Sequence, residues 1–153
     1  MADTTEARRH KLSADRVEPA VYVARNERGA EVRVGGSDTD GVFSPGELLQ
    51  IAAACCAALS ADHVLSSRLG ENFNASLTVG AEGVKDESRY SHFDTRVVAD
   101  MSELDPNRHE ALIERAEKAI ERLCAVARTL RNGATTAVEL VADDGRSETT
   151  IGA

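Results

Sequence analysis

Residues 44–60 read SPGELLQIAAACCAALS, and this stretch decides the fold. Ser44 is a typical helix N-cap, and Pro45 suits the first helical position because its missing N–H would have no partner there. Glu47 lies three residues after the serine and completes a capping box. These signals predict a helix that begins at Pro45 and ends at about Leu69, just before a glycine.

The first half of this helix, Leu48–Leu59, is apolar or small on every face. A surface helix carries a polar face, so this one is predicted to lie at the centre of the protein. In so small a chain, a fully apolar helix also indicates a second subunit that covers it, and we expect a homodimer. The nearly apolar run Leu48–Ala61 is too short to span a bilayer, which predicts no membrane association.

Length and composition favour one soluble domain. The chain has 153 residues, with 18 Lys+Arg and 26 Asp+Glu, and a net charge of −8. This acidic balance argues against a nucleic-acid partner, because phosphate binding needs clustered cations. Met1–Lys11 is too polar for a signal peptide, which predicts a cytoplasmic protein. Residues 1–153 are expected to form a single domain whose polar ends, about 1–10 and 144–153, are frayed.

Four strand-like segments flank this helix in the sequence. Apolar residues alternate with polar or small ones at 21–23 and at 32–34, and residues 26–29 between them end in a glycine typical of a hairpin turn. After the helix, Asn74–Val84 and Ser91–Met101 show the same alternation and predict a second hairpin.

A second helix and a last strand complete the predicted order. Asp105-Pro106 opens the helix, which carries one apolar stripe formed by Leu112, Ala116, Ala119, Ile120 and Leu123. The helical pattern continues, after a break, through Ala125–Leu130 and ends at Asn132-Gly133. Alternation at Thr136–Leu140 predicts the last strand. The order is β-β-α-β-β-α-β, an α+β arrangement with antiparallel hairpins.

The candidates for chemistry are three cysteines, Cys55 and Cys56 in the first helix and Cys124 after the second. Neighbours on a helix point about 100° apart, so only one of the first two can face a given cleft. One reading that stays open is that all three are small buried hydrophobes. A zinc site is disfavoured, because the sequence has no Cys-x-x-Cys pair and its four histidines are dispersed.

Residues 44–49, followed by an alanine-rich helix that reaches the paired cysteines, resemble the signature of the OsmC/Ohr family, the osmotically induced and organic hydroperoxide resistance proteins. In that family a helix that opens with proline carries a reactive cysteine. The family spacing, eleven residues after the proline, matches Cys56 and not Cys55. A second family cysteine follows the next amphipathic helix, where this chain has Cys124. The resemblance covers about Ser13–Val141 and is greatest to the OsmC-like subgroup.

The resemblance implies an OsmC-like fold with antiparallel sheets packed around the central apolar helix, in an intertwined homodimer with active sites at the subunit interface. It further implies a thiol-dependent peroxidase that acts in oxidative-stress defence. Cys56 would attack a small organic hydroperoxide and become a sulfenic acid, and Cys124 would condense with it to a disulfide. An external dithiol reductant would restore both thiols, and no bound cofactor or metal is implied.

The family also implies two partners for Cys56. One is an arginine of the N-terminal sheet, for which Arg16 stands at the matching place; such a cation is needed because apolar surroundings raise a thiol's pKa. The other is a glutamate directly after the proline. That position is Gly46 here, so Glu47, one residue later, is the candidate. A second departure is Ala125, where many members have proline.

The missing glutamate motivates an alternative, a non-catalytic OsmC-like binding module for a small apolar molecule with inert buried thiols. The pKa of Cys56 separates the two hypotheses, because a value below that of free cysteine favours the peroxidase and a value above it favours the binding module. A thiol hydrolase would need a base near Cys56, and the sequence offers none that convinces. Cys55 has no functional counterpart and is expected to pack inside as a structural residue.

Overall fold

A computed structural model describes residues 11–143, so the frayed ends predicted at 1–10 and 144–153 lie outside the described residues. The described chain is a mixed α+β arrangement, which confirms the predicted class. A short 3-10 helix precedes the second α-helix. In chain order the elements are β1 (Leu12–Glu18), β2 (Val21–Asn26), β3 (Glu31–Val34), α1 (Pro45–Leu69), β4 (Ala75–Val84), β5 (Arg89–Ala99), the 3-10 helix (Pro106–Arg108), α2 (His109–Leu123) and α3 (Ala125–Asn132).

The helix α1 has the boundaries that its sequence signals predict. The Glu47 N–H donates to Ser44 Oγ at 3.2 Å, and the Ser44 N–H donates to Glu47 Oε2 at 2.7 Å, which completes the capping box. The helix ends at Leu69. Gly70 follows with φ 92°, in the left-handed region that favours glycine. Both predicted ends are therefore confirmed.

The helix α1 packs between the other two helices and the β4–β5 hairpin. It contacts α2, α3, β4 and β5. Ala61 and Leu65 of α1 form a buried cluster with Leu112 and Ala116 of α2. By length and composition alone α1 could cross a membrane, but the core helix of a soluble protein passes the same test. Its contacts on several sides make it the central helix of an α+β fold.

The N-terminal sheet is antiparallel, with the strand order β1-β2-β3. The predicted turn between β2 and β3 is confirmed, with Gly29 at φ 86°. The sequence does not predict β1. That strand is exposed along its whole length, and its residues LSADRVE therefore carry no clear alternation of apolar and polar side chains. Arg16 lies on β1 opposite Tyr22.

The second sheet is the antiparallel hairpin of β4 and β5, close to the predicted strands. β5 begins at Arg89, two residues earlier than predicted, which brings Tyr90 into the sheet opposite Gly83. The helical part that follows also has the predicted break, because α2 ends at Leu123 and α3 begins at Ala125.

The last predicted strand, Thr136–Leu140, is wrong. Residues 134–143 form no strand in the structure, and Val138 and Leu140 are 94% and 98% exposed. A strand needs a neighbour to satisfy its backbone hydrogen bonds, and no strand of residues 11–143 pairs with this segment. The observed order is β-β-β-α-β-β-α-α.

Candidate active site around Cys56 and Cys124

Two thiols meet where α1 passes the junction of α2 and α3. Cys56 is half-buried on α1, whereas Cys124 is buried, with 2% of its surface exposed. Cys124 forms the break between α2 and α3, and its φ of −71° and ψ of 96° let α3 leave in a new direction. The two side chains hydrogen-bond each other, and both are free thiols. The fold thus brings together the two cysteines that the sequence pairs by resemblance.

The N-terminus of α3 faces the sulfur of Cys56. The backbone N–H groups of Val126 and Ala125 hydrogen-bond to that sulfur. The first N–H groups of a helix have no acceptor within the helix, and the helix dipole adds partial positive charge at this end. The start of α3 therefore stabilises a thiolate at Cys56 in the way that a nearby cation would.

These contacts move the pKa values of the two thiols in opposite directions. The Val126 N–H is the main cause that holds the pKa of Cys56 below its ordinary value, against burial, which raises it. Smaller contributions that lower this pKa come from the Cys124 thiol, the Ala125 N–H and the Ser60 hydroxyl. Burial is the main cause that raises the pKa of Cys124, and the neighbouring Cys56 raises it further. Cys56 is therefore the better nucleophile of the two near neutral pH.

The lowered pKa predicts how alkylation of Cys56 depends on pH. Only the thiolate reacts with iodoacetamide, so the rate rises with pH as the thiol loses its proton. We expect the midpoint of this rise to lie below that of free cysteine measured in the same buffer, and Ser60→Ala to move it upward. Mass mapping after brief labelling identifies the modified residue. A midpoint at or above that of free cysteine would contradict the stabilisation by α3.

A cavity of about 420 Å³ lies beside Cys124. Its walls are largely apolar where α1, α3 and β5 meet, and several polar side chains also line it. The lining residues are Ala53, Ala57, Tyr90, Ser91, His92, Phe93, Thr95, Cys124, Ala127, Leu130 and Arg131. The volume suits a small molecule, since ligand pockets measure about 300–1,000 Å³.

Sequence reasoning did not single out Tyr90, His92 and Arg131, three of the polar residues that line this cavity. A signal for Arg131 exists, because it lies seven residues after Cys124 and residues at that spacing share a helix face. Tyr90 and His92 had no such signal. Their position depends on where β5 packs across α1, and the spacing of residues in the sequence does not predict how these two elements pack.

Tyr90 covers the first turn of α1 at Gly46. A Cβ atom added at Gly46 would collide with the Tyr90 hydroxyl oxygen and lie 3.1 Å from Cζ of the same ring. The Tyr90 ring also contacts Phe93, at 5.5 Å between ring centroids. Tyr90 thus occupies the space that a side chain at position 46 would need, so any larger residue there would have to displace the tyrosine ring.

Gly46→Ala is expected to destabilise the protein, although alanine is normally the better helix residue. The added methyl group must displace Tyr90, and overpacking of this kind lowers the free energy of unfolding by about 1–3 kcal/mol. In a Tyr90→Ala background the same substitution should cost much less. Urea unfolding of the four proteins measures both costs. Gly80→Ala, where nothing lies within 4 Å, is the control, and equal costs in the two backgrounds would disprove the steric explanation.

The remaining predicted site residues lie away from the two thiols. Glu47 is exposed and takes part in the capping box, about 13.5 Å before Cys56 along the helix axis. Arg16 is exposed on the N-terminal sheet, and the strands of that sheet contact one another without extensive packing on α1. Catalytic roles for Glu47 and Arg16 stay predictions.

Cys55 is half-buried beside Cys56, so it is less enclosed than a residue packed inside the protein, which the sequence predicts. Residues 11–143 contain no cluster of side chains that could hold a metal ion.

The family model for OsmC-like proteins matches residues 36–139, more than half of the chain. This protein therefore belongs to the OsmC-like family, which confirms the resemblance stated from the sequence.

Particular relatives agree with this assignment. The uncharacterized protein Rv2923c of Mycobacterium tuberculosis is 38% identical over 131 residues, which cover 86% of this chain and 96% of the relative. An OsmC-like protein from Mycoplasma pneumoniae superposes with a TM-score of 0.62 at 13% identity, over 82% of this chain and 89% of that one. The organic hydroperoxide resistance protein OhrB of Bacillus subtilis gives a TM-score of 0.51 at 14% identity, over 79% and 90% of the chains. At such identities these two structures show a shared fold.

Proposed function

We propose that this protein is a thiol-dependent peroxidase that reduces organic hydroperoxides in oxidative-stress defence. The observation that carries the proposal is the contact between Cys56, whose pKa is lowered, and Cys124, whose pKa is raised. Such a peroxidase needs one thiolate that attacks and a neighbouring thiol that resolves the product. The name of the Bacillus subtilis relative in fold, an organic hydroperoxide resistance protein, supports the same class of activity.

The reaction begins with attack of the Cys56 thiolate on the terminal oxygen of the hydroperoxide. An S–O bond forms as the O–O bond breaks, the sulfur becomes a sulfenic acid, and the alkoxide takes up a proton and leaves as the alcohol. The sulfur of Cys124 then attacks the Cys56 sulfur, which forms the disulfide and releases water. A dithiol from outside the protein, most readily supplied in the cytoplasm, returns both thiols and is itself oxidised to a disulfide.

The cavity beside Cys124 supports an organic hydroperoxide as the substrate class. Ala53 and Ala57 of α1 lie within one turn of Cys56, and with Phe93 and Leu130 they give the cavity apolar walls. Burial of an alkyl group against such walls stabilises the complex by roughly 0.8 kcal/mol for each CH₂ group. Hydrogen peroxide has no alkyl group and gains none of this stabilisation.

We also propose that the active form is a homodimer. Leu59 on α1 is 74% exposed, and the segment with Val138 and Leu140 is almost fully exposed, so this chain alone leaves apolar surface uncovered. A second subunit that covered these exposed apolar side chains would remove them from water, which stabilises the assembly. The N-terminal sheet with Arg16 also lacks extensive packing on the helices, so Arg16 would reach a thiol site across a subunit interface. A monomer mass in sedimentation equilibrium would refute the dimer.

The direct test of the proposed activity is consumption of cumene hydroperoxide with dithiothreitol as the reductant. We expect one dithiol to be oxidised for each hydroperoxide. Arg16→Gln should slow turnover about tenfold, because the negative charge at the thiol site would lose a nearby cation. Arg28→Gln, an equal loss of charge in the β2–β3 turn, is the matched control. Absence of turnover, together with a Cys56 pKa above that of free cysteine, would instead favour the binding module.

A further inference from the structure

Three arginines surround a second cavity at the far end of α1 from the thiols. Arg68 lies in the last turn of α1, Arg108 directly precedes α2, and Arg115 lies two turns further along α2. All three line one cavity of about 420 Å³, whose other lining residues are Leu104, Ala111 and Leu112. Arg68 is twelve residues from Cys56, about 18 Å along the helix, so this cavity is separate from the thiol site.

Ion pairing does not account for this cluster of arginines. Within residues 11–143, seven ion pairs form, and none of them includes Arg68, Arg108 or Arg115. On the other side of Arg68, Asp100 and Glu103 line an adjoining, smaller cavity, but neither pairs with it. In a chain with a net charge of −8, three unpaired cations around one cavity form a local concentration of positive charge.

Helix stabilisation does not account for Arg108 or Arg115 either. Arg108 ends the three-residue 3-10 helix and stands at the N-terminal end of the much longer α2, whose dipole disfavours a cation there, and it makes no side-chain capping bond. The residues three and four positions before and after Arg115 are Ala111, Leu112, Lys118 and Ala119, which offer no acidic partner. Arg68, at the C-terminal end of α1, has a favourable position with respect to that helix.

The geometry of the cavity indicates the class of anion. Arg108, Ala111, Leu112 and Arg115 recur at the spacing of one helix face, so the two guanidinium groups flank an apolar strip, and Arg68 adds a third cation from α1. A guanidinium group donates two parallel hydrogen bonds to phosphate oxygens. Three such groups match a group with two or more negative charges better than a single carboxylate.

We propose that this cavity is a binding site for a small phosphorylated molecule. Its phosphoryl group would be bound by Arg68, Arg108 and Arg115, and an apolar or aromatic portion would pack on Leu104 and Ala111. The site is independent of the thiol chemistry, and its ligand need not be a substrate of the peroxidase.

The test uses phenyl phosphate and inorganic phosphate as probes, at constant ionic strength, in amide NMR titrations of the full chain. We expect saturable shifts confined to residues near 68 and 104–115, and tighter binding of phenyl phosphate because its ring can cover Leu104 and Ala111. Equal affinity of the two probes would overturn the assignment of the apolar portion. Shifts that spread over the surface without saturation would overturn the site itself.

Charge-neutral variants locate the binding groups. Arg108→Gln and Arg115→Gln should each weaken phenyl phosphate binding about tenfold, the loss typical of a charge-assisted hydrogen bond, and the double variant should weaken it further. Arg28→Gln makes the same change in net charge in the β2–β3 turn, outside the lining of the cavity, and should leave affinity unchanged. Arg108 and Arg115 are exposed and form none of the ion pairs within residues 11–143, so the single variants should fold normally. Equal weakening by Arg28→Gln would show a general charge effect and overturn the proposal.

Discussion

Cys56→Ser is expected to lower the rate of organic hydroperoxide consumption by roughly a thousandfold or more, because a hydroxyl is a far weaker nucleophile than a thiolate. The structure makes this substitution especially damaging. The N–H groups at the start of α3 stabilise negative charge on sulfur at this position, and a serine hydroxyl, which stays protonated near neutral pH, gains nothing from them. Steady-state assays with cumene hydroperoxide and dithiothreitol measure the loss.

The neighbouring cysteine provides the matched control. Cys55 is half-buried on the same helix, but points about 100° away from Cys56, so it faces a different part of the fold. Cys55→Ser should leave the rate within about twofold of that of the native protein. It should lower the free energy of unfolding by about as much as Cys56→Ser does, since both residues are half-buried on the same helix. If Cys55→Ser abolished turnover and Cys56→Ser did not, the assignment of the attacking thiol would be wrong.

Local signals in the sequence predict those parts of the fold that depend on neighbouring residues. The capping box at Ser44 and Glu47 and the glycine after Leu69 fix both ends of α1, because each acts within one helical turn. The break before α3 is predicted for the same reason. These boundaries place Cys56 and Cys124 on their elements.

The parts that fail depend on what lies across space. The alternation of apolar residues does not predict β1, because both faces of that strand are exposed. Thr136–Leu140 has the alternation of a strand but no partner among the described strands. The same limit applies to the site. No spacing shows that the Val126 N–H reaches the Cys56 sulfur, or that Tyr90 covers Gly46, because both contacts arise from how separate elements cross.

Cys124→Ser is expected to stop turnover at the sulfenic acid, with a different signature from the loss of Cys56. One equivalent of hydroperoxide should still be consumed at near-native rate, because Cys56 keeps the backbone N–H groups of α3 that lower its pKa. Turnover should then fall by at least about tenfold, since only slow attack by the external dithiol can reduce the sulfenic acid. Dimedone should label the Cys56 sulfenic acid in the variant. It should label little in the native protein, because the disulfide forms first.

Continued exposure to hydroperoxide should inactivate the Cys124→Ser protein. A sulfenic acid that is not resolved reacts with a second hydroperoxide to give a sulfinic acid, which dithiols do not reduce. Because Cys124 is buried, a serine there leaves a hydroxyl in an apolar site, and Cys124→Ala serves as a second variant that avoids this cost. In the native protein, mass mapping after one equivalent of peroxide should find the Cys56–Cys124 disulfide. If both variants retained native turnover, or the native protein gave only sulfonic acids, Cys124 could not be the resolving thiol.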